Sequence, residues 1–184
     1  AAGDITVTMK DASGTADTFN IVTKVDNADI TFAGDVVVAG VETININAID
    51  LSPVNTTTGV ATIEEASLIV TANLAKTVNV TGSSKVDLDL AGSTLVTLID
   101  ATNLTGALTA TTAISTAKAT IKGGLGNDTL TAAHSQDTLF GNVGADTLIV
   151  ANGANLVQLH AGEGKDTYQI GTTSNVAAFA TING

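Results

Sequence analysis

Asp128, Asp137, Asp146, Asn155 and Asp166 hold the same place in consecutive short units near the C-terminal end of the chain. The units read GGLGNDTLT at 123–131, AAHSQDTLF at 132–140, GNVGADTLI at 141–149 and VANGANLVQ at 150–158. Leu159 and His160 then stand as extra residues before AGEGKDTYQ resumes at 161–169. Each unit is a turn, an oxygen-bearing side chain and a short strand whose apolar residue (Leu130, Leu139, Leu148, Val157 or Tyr168) points inward. A glycine-rich turn can aim backbone carbonyls at one side of a space, and a carboxylate from a neighbouring unit closes the other. That is a cage of hard oxygens, suited to calcium. Magnesium's tight octahedron fits such a turn less well, and with no Cys and 2 His there is little for a transition metal.

Turns of this kind must be carried by short strands stacked at regular spacing. Strand-like alternation of Thr, Val and Ile recurs at 5–8, 42–47, 77–80, 86–90 and 95–99, and from Lys76 the pieces begin near Thr77, Val86, Leu95, Ala107 and Ala119. Short strands at intervals of roughly nine to twelve residues predict the coils of a parallel β-solenoid, with a β-sandwich as the other architecture that gives this rhythm. Only 3% of residues are aromatic, which favours the narrow interior of a solenoid. The fold class expected is therefore all-β. Residues 50–75 break the rhythm: Pro53, Thr56 to Thr58 and Gly59 suggest a loop or insertion, and 63–75 reads as a short helix starting near Thr62 with Glu64 and Glu65 in its first turn.

The unit GGLGND at 123–128 resembles the calcium-binding nonapeptide repeats of type I secreted bacterial proteins, the RTX family. The resemblance implies a β-roll in which successive turns lie on alternate edges and an ion sits between turns two units apart. It pairs Gly123, Gly124, Gly126 and Asp128 with Gly141, Gly144 and Asp146, and these continue toward Gly162, Gly164 and Asp166. Asp137 and Asn155 fall on the other edge, where Ala132, Ala133 and Ser135 stand in place of glycines; turn capping and ion binding both remain open for them. GTADTFNI at 14–21 resembles a decayed unit with Asp17 in the acidic place, and Asp11 is a further acidic candidate. About two to four calcium ions are expected on the family geometry.

Stretches at 39–48, 79–90 and 96–112 resemble the Thr- and Ala-rich solenoids of bacterial surface-layer proteins. The combined expectation is a solenoid over 1–122, a calcium-binding RTX β-roll over 123–171, and a terminal strand or further coil over 172–184. The resemblance implies a secreted structural component of a bacterial surface layer that self-associates in a lattice; cell-surface carbohydrate would be met through other parts of a longer parent. A stalk of a type I secreted RTX adhesin, or the noncatalytic part of an RTX protease or lipase, are the alternatives. The first residues, AAG, and the last, ING, read as a piece of a longer chain.

Other classes find little support in the sequence. A net charge of -11 and the absence of Arg oppose a nucleic-acid partner. There is no apolar run long enough for a membrane span. Asp87 and Asp89 share one strand face without an aromatic sugar platform, His134 and His160 read as turn residues, and no serine lies in a nucleophile-elbow pattern. No catalytic residue is expected.

Overall fold

The computed structural model describes residues 5–8, 14–31, 34–53, 62–113, 115, 117–172 and 181–183. The strands follow in chain order as β1 (Ile5–Thr8), β2 (Thr18–Val25), β3 (Ile30–Thr31), β4 (Val36–Ala39), β5 (Thr43–Asp50), β6 (Glu65–Ala72), β7 (Thr77–Gly82), β8 (Lys85–Asp89) and β9 (Leu98–Leu104). They continue as β10 (Leu108–Thr111), β11 (Thr120–Lys122), β12 (Thr129–Ala132), β13 (Thr138–Val143), β14 (Thr147–Val150), β15 (Gln158–Glu163), β16 (Thr167–Ile170) and β17 (Thr181–Asn183). Successive strands pass between two sheets, except that β3 and β4 follow one another in the same sheet. One runs β1-β4-β6-β8-β10-β12-β14-β16, with β3 also on β6; the other runs β2-β5-β7-β9-β11-β13-β15-β17.

All the strand pairs are parallel, so the chain is an all-β parallel β-solenoid with two strands to a coil. Burial alternates along each strand with a period of two. In β6, Ala66, Leu68, Val70 and Ala72 point in, and in β12 Leu130 and Ala132 do. The inward residues of both sheets form one core of Val, Ile, Leu and Ala. Phe19 and Tyr168 pack against this core while only partly buried, and Phe140 and His160 stack on the outer face at a centroid distance of 4.6 Å. Asn20, Asn45 and Asn79 form a hydrogen-bonded ladder on the same face, at 2.9 and 2.8 Å.

Coil length settles where the repeats begin. Thr18 pairs with Thr43 and Thr43 with Thr77, so the early coils take 25 and 34 residues. Thr120 pairs with Thr138 and Thr129 with Thr147, 18 residues apart. Two nonapeptides therefore make one coil, which sends alternate turns to opposite edges. The coils that follow, closed by the pairs Thr138–Gln158 and Thr147–Thr167, take 20.

Three expectations are corrected. Residues 65–72 are strand β6, not helix, because Ala66, Leu68, Val70 and Ala72 bury at every second position rather than on a helical stripe. Leu95 lies 41% exposed in a turn, and its strand begins at Leu98. His160 belongs to β15, in register with Phe140, and not to a turn. The expected loop features at Thr56 to Thr58 and Gly59 lie outside the described residues, as does Asp11.

Candidate metal centre

Asp128, Asp146 and Asp166 lie at the turns leading into β12, β14 and β16, and the strand register stacks them on one edge of the solenoid. Each carboxylate reaches the backbone of the coil before it. The Leu108 N–H donates to Asp128 Oδ1 at 2.7 Å, the Asp128 N–H to Asp146 Oδ1 at 2.8 Å, and the Asp146 N–H to Asp166 Oδ1 at 3.0 Å. Asp128 and Asp146 are 1% and 0% exposed. Asp128 Oδ2 accepts from the Gly124 N–H at 2.6 Å, whereas Asp146 Oδ2 is buried without a hydrogen-bond partner.

The glycines leave space beside these carboxylates. A Cβ on Gly123 would stand 2.1 Å from Asp128 Oδ2 and 2.7 Å from the Gly141 carbonyl oxygen; one on Gly141 would stand 2.3 Å from Asp146 Oδ2 and 2.4 Å from the Ala161 carbonyl oxygen. Carboxylate and carbonyl oxygens thus meet twice, one coil apart, at positions where any larger residue would intrude. Beside them Gly126, Gly144 and Gly164 form a column in which each backbone lies against the carbonyl of the previous coil's glycine, beginning at Gly106. A buried, unpartnered carboxylate oxygen next to a carbonyl is what a calcium ion would complete, since a buried anion is costly unless it is paired. The Asp146 edge fits the ion.

Burial pushes the Asp128 carboxyl up to about 6, with the Asp146 charge adding to the shift against the pull of the Leu108 and Gly124 N–H donors. Asp146 is likewise raised, first by burial and then by the Asp166 charge beside it. In chelator, the folded state therefore holds these protons more tightly than the unfolded chain. Stability from Asp128 is fully present below pH 3.8 and is lost as pH rises through about 6. The expected loss is roughly 2 to 3 kcal/mol. Urea unfolding in chelator from pH 4 to pH 7, compared with Asp128→Asn, checks this: the advantage of acid should shrink in the variant, and an equal pH slope in both would count against it.

The other edge is different. Asp137 is 0% exposed at the turn before β13. Its Oδ1 accepts from the Ala119 N–H at 2.8 Å, and its Oδ2 from the Thr112 hydroxyl at 2.6 Å and the His134 N–H at 2.8 Å. The pairing of Thr138 with Gln158 puts Val157, not Asn155, in register with Asp137. The two extra residues thus belong to the turn before β15, while Leu159 and His160 stand opposite Leu139 and Phe140. Asn155 instead lies in that turn, donating through its Nδ2 to the Gly153 carbonyl at 2.9 Å. Gly162 and Gly164 stay on the Asp166 side.

Asp17 lies on the same edge as Asp137, far along the stack; its N–H donates to Glu42 Oε2 at 2.9 Å. Asp87 and Asp89 lie on the outer face of β8. Among the described residues, no three His, Cys, Asp or Glu side chains group as a metal site, so a calcium ion here would rely on backbone carbonyls. Sequence reasoning missed the Ala161 carbonyl and the Thr112 hydroxyl. Alanine at the first place of its unit hides the former, and the latter sits outside any repeat.

Residues 119–156 match the RTX calcium-binding nonapeptide repeat, in four copies. These repeats are calcium-binding motifs and are structural rather than catalytic. The match starts ahead of Gly123 and stops before the unit at 161–169, although Asp166 of that unit stands in register with Asp146. No curated protein matches the chain. No helix among the described residues is long and apolar enough to cross a membrane.

Proposed function

We propose that the chain is a calcium-stabilised structural segment of a secreted protein of the bacterial surface layer, with Gly123, Gly124, Gly126, Asp128, Gly141, Gly144, Asp146, Gly162, Gly164 and Asp166 forming the calcium edge. The observation that carries this reading is the unpartnered, buried Asp146 Oδ2 within a stack of three carboxylates. Stacked like charges oppose closure of the coils, and bound calcium supplies the positive charge that turns this repulsion into attraction. The residues themselves do the rest. Asp146 Oδ1 and Asp166 Oδ1 hold the N–H of the preceding coil, and the glycine column lets the turns approach. Folding of this region is thereby coupled to calcium, so a chain exported from a low-calcium compartment would close outside the cell.

The lattice role rests on the outer faces. The sheet of β2, β5 and β7 presents the Asn20–Asn45–Asn79 ladder and Val22, at 59% exposure, to solvent, and neighbouring copies can pack against this face. Calorimetric titration of chelator-stripped protein is expected to show two or more calcium ions with little response to magnesium. Circular dichroism should gain β signal over the same titration. A calcium-free protein with its full β signal and one cooperative melt would refute the coupling. Ordered sheets seen by electron microscopy on adding calcium support the lattice; isolated rods favour an adhesin stalk.

A further inference from the structure

We infer that the repeat region is fastened differently along its two edges: calcium loads the Asp128–Asp146–Asp166 edge alone, while Asp137 on the opposite edge is a protein-made clamp closed by Thr112. The inference rests on the calcium reading of the first edge. The contrast is in how the carboxylates are satisfied. Asp146 keeps a buried oxygen without a partner, whereas Asp137 receives three donors, one on Oδ1 and two on Oδ2. Thr112 is itself 2% exposed, and its hydroxyl oxygen accepts the Ala133 N–H at 2.8 Å while donating to Asp137. One side chain thus links the turn of its own coil to the next, which is the task left to an ion on the other edge.

The surroundings agree. Ala132 and Ala133 put methyl groups where Gly123 and Gly124 leave room in the first unit of the calcium edge. The next coil offers buried Val157 opposite Asp137, so no second carboxylate lies in register to share an ion. With three donors on its two oxygens, the Asp137 side chain has its acceptors satisfied by the protein itself. Asp137 therefore does not fit the ligand role that its repeat position suggests.

The test uses the full chain with saturating calcium. Calorimetry of Asp137→Asn should show the same number of calcium ions as the unaltered protein, whereas Asp146→Asn should lose at least one. Thr112→Val and Asp137→Asn should each lower the melting temperature by about 5 °C. The double variant should fall by clearly less than the sum of the two, because both remove the bond between Thr112 and Asp137. Thr112→Ser, which keeps the hydroxyl, should melt near the unaltered protein. Loss of a calcium ion in Asp137→Asn, or additive shifts for Thr112→Val and Asp137→Asn, would overturn the inference. If the unaltered protein takes up no calcium, the calcium reading of the first edge fails and one-sided loading with it, whereas the melting cycle still decides whether Thr112 clamps Asp137.

Discussion

Gly144→Ala should destabilise the protein by on the order of 4 kcal/mol, combining backbone strain with overpacking. Gly144 has φ of +140°, which an L residue rarely adopts, and a Cβ there would stand 2.1 Å from the Gly126 carbonyl oxygen and 3.1 Å from Asp146 Oδ1. The turn has no direction in which to retreat, since the Gly144 N–H is bonded to the Glu163 carbonyl of the following coil at 2.9 Å. The new methyl would therefore part the coils where carbonyl and carboxylate must converge, and calcium affinity should fall along with stability. Gly153→Ala is the control. Its φ of +87° is also unfavourable, but no heavy atom lies within 4 Å of a Cβ there, so only about 1 kcal/mol is expected. Urea unfolding of both variants decides the matter, and equal losses would show that coil contact is not what these glycines protect.

Leu148→Ala should cost about 4 kcal/mol, the range for emptying a fully buried leucine site. Leu148 is 0% exposed in β14, between Leu130 and Tyr168 in the register. A solenoid coil touches only its neighbours, so the cavity cannot be closed by rearrangement elsewhere. Leu125, 52% exposed at a turn tip of the same region, should lose less than about 0.5 kcal/mol on the same change. Because calcium binds the folded coils, added calcium should recover part of the loss at Leu148. A Leu148 variant as stable as the Leu125 variant would mean that the repeat region has no packed interior of consequence.

Much of this organisation was legible because its signals are periodic. Glycine and aspartate at fixed offsets from an inward leucine marked Asp128 and Asp146, and strand alternation marked the solenoid. Asn155 was misplaced because two extra residues can be set on either side of a strand without disturbing the other units. The fold decides, since a turn absorbs added length while a strand cannot shift by one residue without turning its core residues outward. Residues 63–75 misled through Glu64 and Glu65, which look like the first turn of a helix. In the fold the Glu65 N–H instead bonds Asp29 Oδ1 at 2.7 Å, a contact 36 residues away that no local pattern reveals. Thr112 was hidden for the same reason, since it meets Asp137 across 25 residues from an irregular turn.

The 18-residue register between Thr129 and Thr147 also sets how such a segment can change its reach over generations. Duplicating two consecutive units adds one complete rung, extending the rod by about 4.8 Å with its cross-section unchanged. Duplicating a single unit would send every later turn to the opposite side, carrying Asp146 and Asp166 away from Asp128 and breaking the column. Inherited growth of this rod is therefore counted in pairs, and an odd number of added units is the kind of change that selection should remove.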